Sequence, residues 1–251
     1  MAKVRLGERQ LDIDLVVFDK DGTLIDFHYL WGRKALRYVD AILTDLGADS
    51  LRLRDDLLRS LGFDLDSART RADSPLAVAS MPKLNTVTAV VLYQHGVGWH
   101  EAERLAGECF RSVLAALPTH DMVRPIGDVA GLCRALREAG VRIALATSDD
   151  RAATRATLPI LGIEDCVDLL VCGDDPIPNK PSPEGLYHLG RVLAVEPRRM
   201  IMVGDSVCDM DTGRNAGVAA RVAVLSGTGE AETLRRHADV VLADVHGIRP
   251  L

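Results

Sequence analysis

Leu15-Val16-Val17-Phe18-Asp19-Lys20-Asp21-Gly22-Thr23-Leu24 is the most informative run in the chain. Four consecutive apolar residues lead directly into two carboxylates, a glycine and a threonine. A short, unbroken apolar run reads as a strand buried on both faces, as in parallel sheets. Such sheets place their chemistry beyond the carboxyl ends of their strands, which is where Asp19 and Asp21 fall, with Gly22 allowing a sharp bend. Two carboxylates about 4 Å apart repel by roughly 1–4 kcal/mol, depending on the local dielectric. A bound cation, or a proton kept on one acid, relieves that repulsion. The same residues also fit an acidic turn after a strand, because Asp-Gly is ordinary turn vocabulary. Partners elsewhere in the chain have to separate the two readings.

Working outward from this run, residues 1–14 alternate charged and apolar side chains and contain no hydrophobic signal core. From about Ile25 to Asp121 the pattern is helical, with no convincing strand. Leu36, Val39, Leu43 and Leu46 define one helical face ending at Gly47, and Leu51 to Leu61 define a second helix closing near Gly62. Leu84, Val87, Val91 and Gln94 suggest a third helix stopping at Gly96. A long fourth, from Trp99 to Leu117, is stopped by Pro118. From Pro125 the chain alternates helical and strand patterns, with strands at Val141–Ala146, Leu169–Cys172, Met200–Val203, Arg221–Leu225 and Val240–Leu242. Repeating βα units predict an α/β fold: a Rossmann-like parallel sheet with helices on both faces. The first strand has to join that sheet. The expected organisation is therefore a discontinuous core, residues 1–24 and 122–251, carrying an inserted α-helical domain over residues 25–121.

The other strand ends should open onto the same crevice. The second ends in Thr147-Ser148, whose hydroxyls and following N–H groups suit phosphate oxygens, or cap an ordinary helix. After the third comes Asp174-Asp175-Pro176-Ile177-Pro178-Asn179-Lys180-Pro181, which fixes Lys180 in a proline-stiffened loop. After the fourth comes Gly204-Asp205-Ser206-Val207-Cys208-Asp209, with Asp209 one helical turn beyond Asp205. Each feature alone has a structural explanation. Their occurrence in this order, every one at a strand end, is not readily accidental.

Composition narrows the function classes. The chain has 251 residues, 47% hydrophobic and 26% charged, values of an ordinary globular protein. A net charge of −6 argues against a nucleic-acid partner, and no apolar run reaches membrane-spanning length. The five cysteines (Cys109, Cys133, Cys166, Cys172, Cys208) form no C-x-x-C pair. They read as small core residues in a reducing cytoplasm, and cytoplasmic localisation is the expectation.

With these residues in view, the sequence resembles the haloacid dehalogenase-like superfamily of phosphotransferases, in its phosphoglycolate-phosphatase-like branch. Asp19-Lys20-Asp21-Gly22-Thr23 is similar to that family's first motif, Thr147 to its second, Lys180 to its third, and Gly204-Asp205 through Asp209 to its fourth. The run continuing to Arg214-Asn215-Ala216-Gly217 is also similar, as is Lys180-Pro181-x-Pro183. The inserted helices match the family's cap in position and type only.

The resemblance implies a phosphoric monoester hydrolase acting on a small phosphorylated metabolite, phosphoglycolate-like or a sugar phosphate. In it Asp19 is the nucleophile that forms an aspartyl phosphate, and Asp21 is the general acid and base. Thr147, Ser148 and Lys180 hold phosphoryl oxygens. Mg²⁺ is bound by Asp19, Asp205 and the backbone carbonyl of Asp21. Asp209 supports Lys180 or metal-bound water from behind, and Ser206 orients Asp205. Lys20 receives no catalytic role. Arg33 and Lys83 are the cap cations best placed to meet a substrate carboxylate, against a plain reading as solvated surface charge. His28 is a candidate contact for which packing is the favoured reading. A phosphomutase is the first alternative. Gly204-Asp205 and Asp209 lean away from it, because mutase relatives carry Glu-Asp and lack the later acid. A non-catalytic phosphate-binding module is the second. Monomer and homodimer both stay open.

Overall fold

The computed structural model describes residues 2–79 and 81–251. It opens on an element absent from the expected fold. Strands β1 (Ala2–Leu6) and β2 (Arg9–Ile13) form an antiparallel hairpin turning at Gly7, whose φ is +60°. The charged–apolar alternation of residues 1–14 is the period-2 signal of a half-buried strand. Val4, Leu6 and Ile13 face inward while Lys3 and Arg5 are exposed. Next comes β3 (Leu15–Phe18), whose four side chains are all 0% exposed. Burying each is worth about 1.5–3 kcal/mol.

The chain forms two compact units, one of Met1–Phe27 with Pro118–Leu251 and one of His28–Leu117. The second is built on helices α1 (Phe27–Leu46) and α2 (Leu51–Leu61), the latter capped by Ser50, whose side chain accepts from Leu53 N, and closed by left-handed Gly62. The buried face of α1 is rotated from the expected one: Leu30, Ala35, Tyr38, Val39 and Ile42 are buried, whereas Leu36, Leu43 and Leu46 are only partly so. Tyr38 is tolerated there because its hydroxyl donates to the Ala106 carbonyl at 3.1 Å. Two short strands, β4 (Phe63–Asp64) and β5 (Arg69–Thr70), form a hairpin in a region expected to hold none. They are too short for alternation to register in the sequence. A single turn α3 (Pro75–Val78) precedes α4 (Met81–Gln94) and α5 (Trp99–Cys109). The expected fourth helix is shorter as an α-helix than predicted, passing into a π-turn at Phe110–Leu114.

The first unit resumes with α6 (Val129–Glu138), β6 (Arg142–Ala146), α7 (Arg151–Leu161), β7 (Leu169–Val171), α8 (Glu184–Leu193) and β8 (Met200–Gly204). It closes with α9 (Val207–Ala216), β9 (Ala220–Val224), α10 (Ala231–His237), β10 (Val240–Leu242) and β11 (Ile248–Pro250). Six strands make one parallel sheet in the order β10-β9-β8-β3-β6-β7, while β11 joins β1 and β2 in a separate antiparallel sheet. In the parallel sheet Phe18 is level with Leu145 on one side and Val203 on the other. Leu15 and Val17 pack with Ala144, Met200 and Met202 beneath Leu186 and Leu189 of α8; Val16 and Phe18 point to the other face by strand alternation. The chain moves outward from β3 to β6 and β7, returns to β8, and moves outward the other way. The sheet therefore switches direction between β3 and β8, the position where open α/β sheets form a ligand crevice.

Candidate active site

Asp19 leaves β3 still paired, its N–H donating to the Val203 carbonyl at 2.8 Å. The following loop is wound tightly: the Lys20 carbonyl accepts from the N–H groups of Thr23, Leu24 and Ile25, and Gly22 N–H donates to the Ile25 carbonyl. Gly22 is required twice over. Its φ is +83°, and a Cβ there would lie 2.5 Å from the Asp205 carboxylate.

Four of the expected residues converge here. Lys180 Nζ lies 2.7 Å from Asp19 Oδ1 and 2.6 Å from Asp209 Oδ1. Asp19, Asp205 and Asp209, all buried, each offer an oxygen within 4.8 Å of the others. Lys180 is delivered by a braced loop: Asn179 donates to the Gly173 carbonyl and Asn215 donates to that of Pro181. Asp209 is held by a capping box at the start of α9, its Oδ2 accepting from both the N–H and the hydroxyl of Ser206. This corrects the role expected of Ser206, which orients Asp209 and not Asp205. The Asp205 carboxylate is instead fixed by Thr228, whose N–H (2.7 Å) and hydroxyl (3.2 Å) both donate to Oδ2.

Thr147 is buried, its Oγ1 accepting from Asp149 N–H at 3.2 Å, and it lines one small cavity together with Lys180. Ser148 is exposed. Asp21 is paired with Lys20, whose fully buried ammonium lies 2.5 Å from Asp21 Oδ1 and 3.0 Å from Asp149 Oδ2. The three remaining candidates lie in the helical unit. His28 is buried against the hairpin there, with Thr70 N–H 3.1 Å from Nδ1 and Arg69 Nη2 2.8 Å from Nε2. Arg33 stacks on Tyr29, 4.7 Å from the ring centroid, and Lys83 is exposed in the first turn of α4.

The cluster is electrically unbalanced. Burial, and then the neighbouring carboxylates Asp209 and Asp205, push the Asp19 carboxyl well above the usual carboxylate range, against the pull of Lys180. Burial and Asp209 likewise raise Asp205. For Lys180, burial favours loss of the proton, but Asp19 and Asp209 outweigh it and the ammonium is held more firmly than usual. Three carboxylates around one ammonium leave two formal negative charges when all are ionised. A divalent cation balances them, and the hard oxygen donors of Asp19 and Asp205 suit Mg²⁺. Asp209 has both oxygens engaged by Lys180 and Ser206.

Thr228 and Ser226 are not among the residues the sequence points to, and Lys20, given no catalytic role there, pairs with Asp149 between the loops after β3 and β6. Ser226 donates to the Gly22 carbonyl at 2.8 Å, and a Cβ at Gly227 would collide with the Asp205 carboxylate. The signal was present: Ser226-Gly227-Thr228-Gly229 follows the fifth strand, and the strand-end rule applied to the first four extends to it.

A parallel α/β sheet with an acid–lysine cluster at its switch point defines the class of protein. Residues 13–217 match the haloacid dehalogenase-like hydrolase family, and the chain belongs to it. It is 31% identical over 227 residues to a phosphoglycolate phosphatase of Chromobacterium violaceum, covering 88% of this chain and 89% of that one. It is 27% identical to the pyrophosphatase PpaX of Halalkalibacterium halodurans, covering 92% and 93%. Among solved structures, a predicted phosphoglycolate phosphatase from Haemophilus somnus superposes with a TM-score of 0.64 at 19% identity, covering 93% and 95%. A proposed β-phosphoglucomutase from Thermotoga maritima reaches 0.64 at 18% identity, covering 92% and 94%. Among the described residues, no helix is long and apolar enough to cross a membrane.

Proposed function

We propose that this protein is a magnesium-dependent phosphatase of a small phosphorylated metabolite. The observation that carries the reading is the Lys180 ammonium held between Asp19 and Asp209 beside Asp205. Asp19 attacks phosphorus through a carboxylate oxygen, forming an aspartyl phosphate as the ester oxygen leaves with the proton of Asp21. Asp21 then takes a proton from water, whose oxygen attacks the same phosphorus and releases phosphate and free Asp19. Lys180 and Thr147, with Ser148, hold the phosphoryl oxygens where charge accumulates. Asp19, Asp205 and the Asp21 carbonyl would hold the metal; when bound, it neutralises acid charge that otherwise repels an anionic ester. Asp209 keeps Lys180 aimed.

The domain assignment belongs to the same reading: residues 1–24 and 122–251 perform the chemistry, and the helical domain, 25–121, selects the substrate. Arg33 and Lys83 are the cations proposed to meet a substrate carboxylate. The phosphoglycolate phosphatase relatives support a phosphorylated small acid, and a sugar phosphate is the neighbouring choice.

The test is a screen of phosphorylated metabolites with Mg²⁺, reading released phosphate for the natural chain beside Asp19→Asn. Phosphate release that disappears in Asp19→Asn supports the reading. An isomerised ester without free phosphate would make the protein a mutase, and no turnover of any ester would leave a binding module.

A further inference from the structure

We propose that Arg151 is a positioning residue that sets the spacing between Thr147 and Lys180. The inference rests on the role proposed above for those two groups, the holding of phosphoryl oxygens. Thr147 follows β6, and Lys180 lies in the loop after β7. The two strands are paired as far as Ala146 and Val171, and a last rung runs from Thr147 N–H to the Val171 carbonyl at 2.9 Å. Beyond it the sheet fixes neither loop, yet Thr147, Asn179 and Lys180 line one small cavity.

The two loops come together at Gly173. Its N–H donates to the Asp149 carbonyl at 2.8 Å, and a Cβ there would collide with the Ser148 carbonyl. The Gly173 carbonyl also anchors the far end of its own loop, accepting from Asn179 Nδ2 at 3.1 Å, next to Lys180. A shift of Gly173 therefore moves Lys180 relative to Thr147. Arg151, the first residue of α7, grips the chain on both sides of that glycine. Its Nη2 donates to the Leu170 carbonyl at 3.0 Å and to Asp175 Oδ2 at 2.5 Å, and its Nε donates to Asp175 Oδ1 at 2.9 Å. Asp175 Oδ2 in turn accepts from Cys172 N–H at 2.8 Å. The Arg151 backbone N–H donates to Asp174 Oδ1 at 2.8 Å. Tying the start of α7 to Asp174 needs only that N–H, which any residue but proline supplies. The guanidinium is extra to the helix, because a cation in a first turn opposes the helix dipole. What it adds is a two-pronged bond to a carboxylate, which fixes geometry as well as contributing energy.

Displacing a binding group by about 1 Å costs up to about 10²-fold in rate. With the full chain, saturating Mg²⁺ and p-nitrophenyl phosphate, Arg151→Met should lower kcat/KM by about 10²-fold, with KM raised about 10-fold. The dissociation constant of inorganic phosphate, read by calorimetry, should rise by about the same 10-fold. Neither KM nor that constant depends on how much of the protein is folded, so a mere prop for the fold would reduce active enzyme and leave both alone. Asp175→Asn should show the same changes at smaller size and remains informative if Arg151→Met fails to fold. In both variants Mg²⁺ should still raise the melting temperature as it does for the natural chain. Unchanged KM and phosphate affinity would overturn the proposal. So would loss of the Mg²⁺ effect, which would mean damage to the whole site and not a changed spacing. Lys180→Met run in parallel separates the two layers. If it leaves phosphate affinity unchanged, the phosphate-binding reading fails and the proposal with it. If it weakens phosphate binding and the Arg151 and Asp175 variants do not, only the positioning role fails.

Discussion

Lys20 is fully buried and Lys180 largely so, and each sits between two carboxylates, but the two ion clusters differ in origin and in access. Lys180 comes from a loop 161 residues away in sequence from Asp19, and its side chain keeps 11% of its exposure. Lys20 is the immediate neighbour of its partner Asp21 and is sealed completely. In the proposed reading this difference in access matters. An ammonium open to the crevice can meet phosphoryl oxygens, whereas a sealed one can act only through the acid it holds. Access, more than charge, separates the two ammonium groups.

The sharpest way to break this contrast is to remove charge from each side of it. Asp19→Asn should abolish turnover with the fold retained, because an amide does not attack phosphorus; circular dichroism and phosphate release check both halves. Lys180→Met should lower kcat by about 10²–10³-fold, the usual cost of a lost charge-stabilising donor. Asp21→Asn falls in the range of a lost general acid, about 10²–10⁴-fold. Near-natural turnover in Lys180→Met would show that its bridge is structural and that the two lysines do not differ in kind.

The two clusters also differ in their charge balance, which makes a thermodynamic prediction. Asp19 and Asp205 have carboxyls raised by burial and by neighbouring carboxylates. A raised acid binds its proton more tightly when folded. Stability of the metal-free protein should therefore fall as pH rises above the unfolded carboxylate range near 3.8, and continue falling until the folded groups ionise, near 6 for Asp205 and 8 for Asp19. Mg²⁺, binding the native state, should raise the melting temperature, and the rise should grow with pH across that window. Asp205→Ala should remove most of it. A Mg²⁺ effect that is flat from pH 5 to pH 8 would contradict the site's charge imbalance.

The legibility of these features in the sequence followed physical range. The parallel sheet was readable because β3, β6 and β8 are continuous apolar runs ending at polar residues, a signal local to a few positions. Asp19 and Asp205 were readable because each stands at such an end, Asp209 because it lies one helical turn beyond Asp205, and Lys180 because prolines fix it in the loop after β7. The partners of Lys20 and Asp205 were not, since Asp149 and Thr228 are identified by which side chain they face. Nothing in the spacing from Asp205 to Thr228 states that one carboxylate accepts from both the N–H and the hydroxyl of the other residue. The rotation of the buried face of α1 has a similar cause. Leucines alone suggested one stripe, but the packed stripe includes Tyr38, admitted by a hydrogen bond to Ala106 that is 68 residues away.

A bridge outside the clusters supplies the smallest and most discriminating comparison. Arg151 donates to both carboxylate oxygens of Asp175, from Nε at 2.9 Å and from Nη2 at 2.5 Å, and Asp175 also accepts from Cys172 N–H. The pair is less buried than either lysine cluster, with the arginine side chain 34% exposed. Its hydrogen bond to Arg151 holds the Asp175 carboxyl below the usual range, against the opposing effect of burial. The sign is then opposite to that of Asp19. Asp175 favours the folded state above the unfolded value near 3.8 and loses that contribution as pH falls through its own lower value. Asp175→Asn should cost about 1–2 kcal/mol at neutral pH, as expected for a charge-assisted bond left half made, or roughly 2–8 °C in melting temperature for a chain of this size. The cost should shrink below pH 4. It should leave the Mg²⁺-induced rise unchanged, because Asp175 lies outside the carboxylate cluster. If Asp175→Asn instead erased the Mg²⁺ effect, the loop carrying Lys180 would be coupled to the metal through Arg151, and access alone would no longer explain the division of labour between the two lysines.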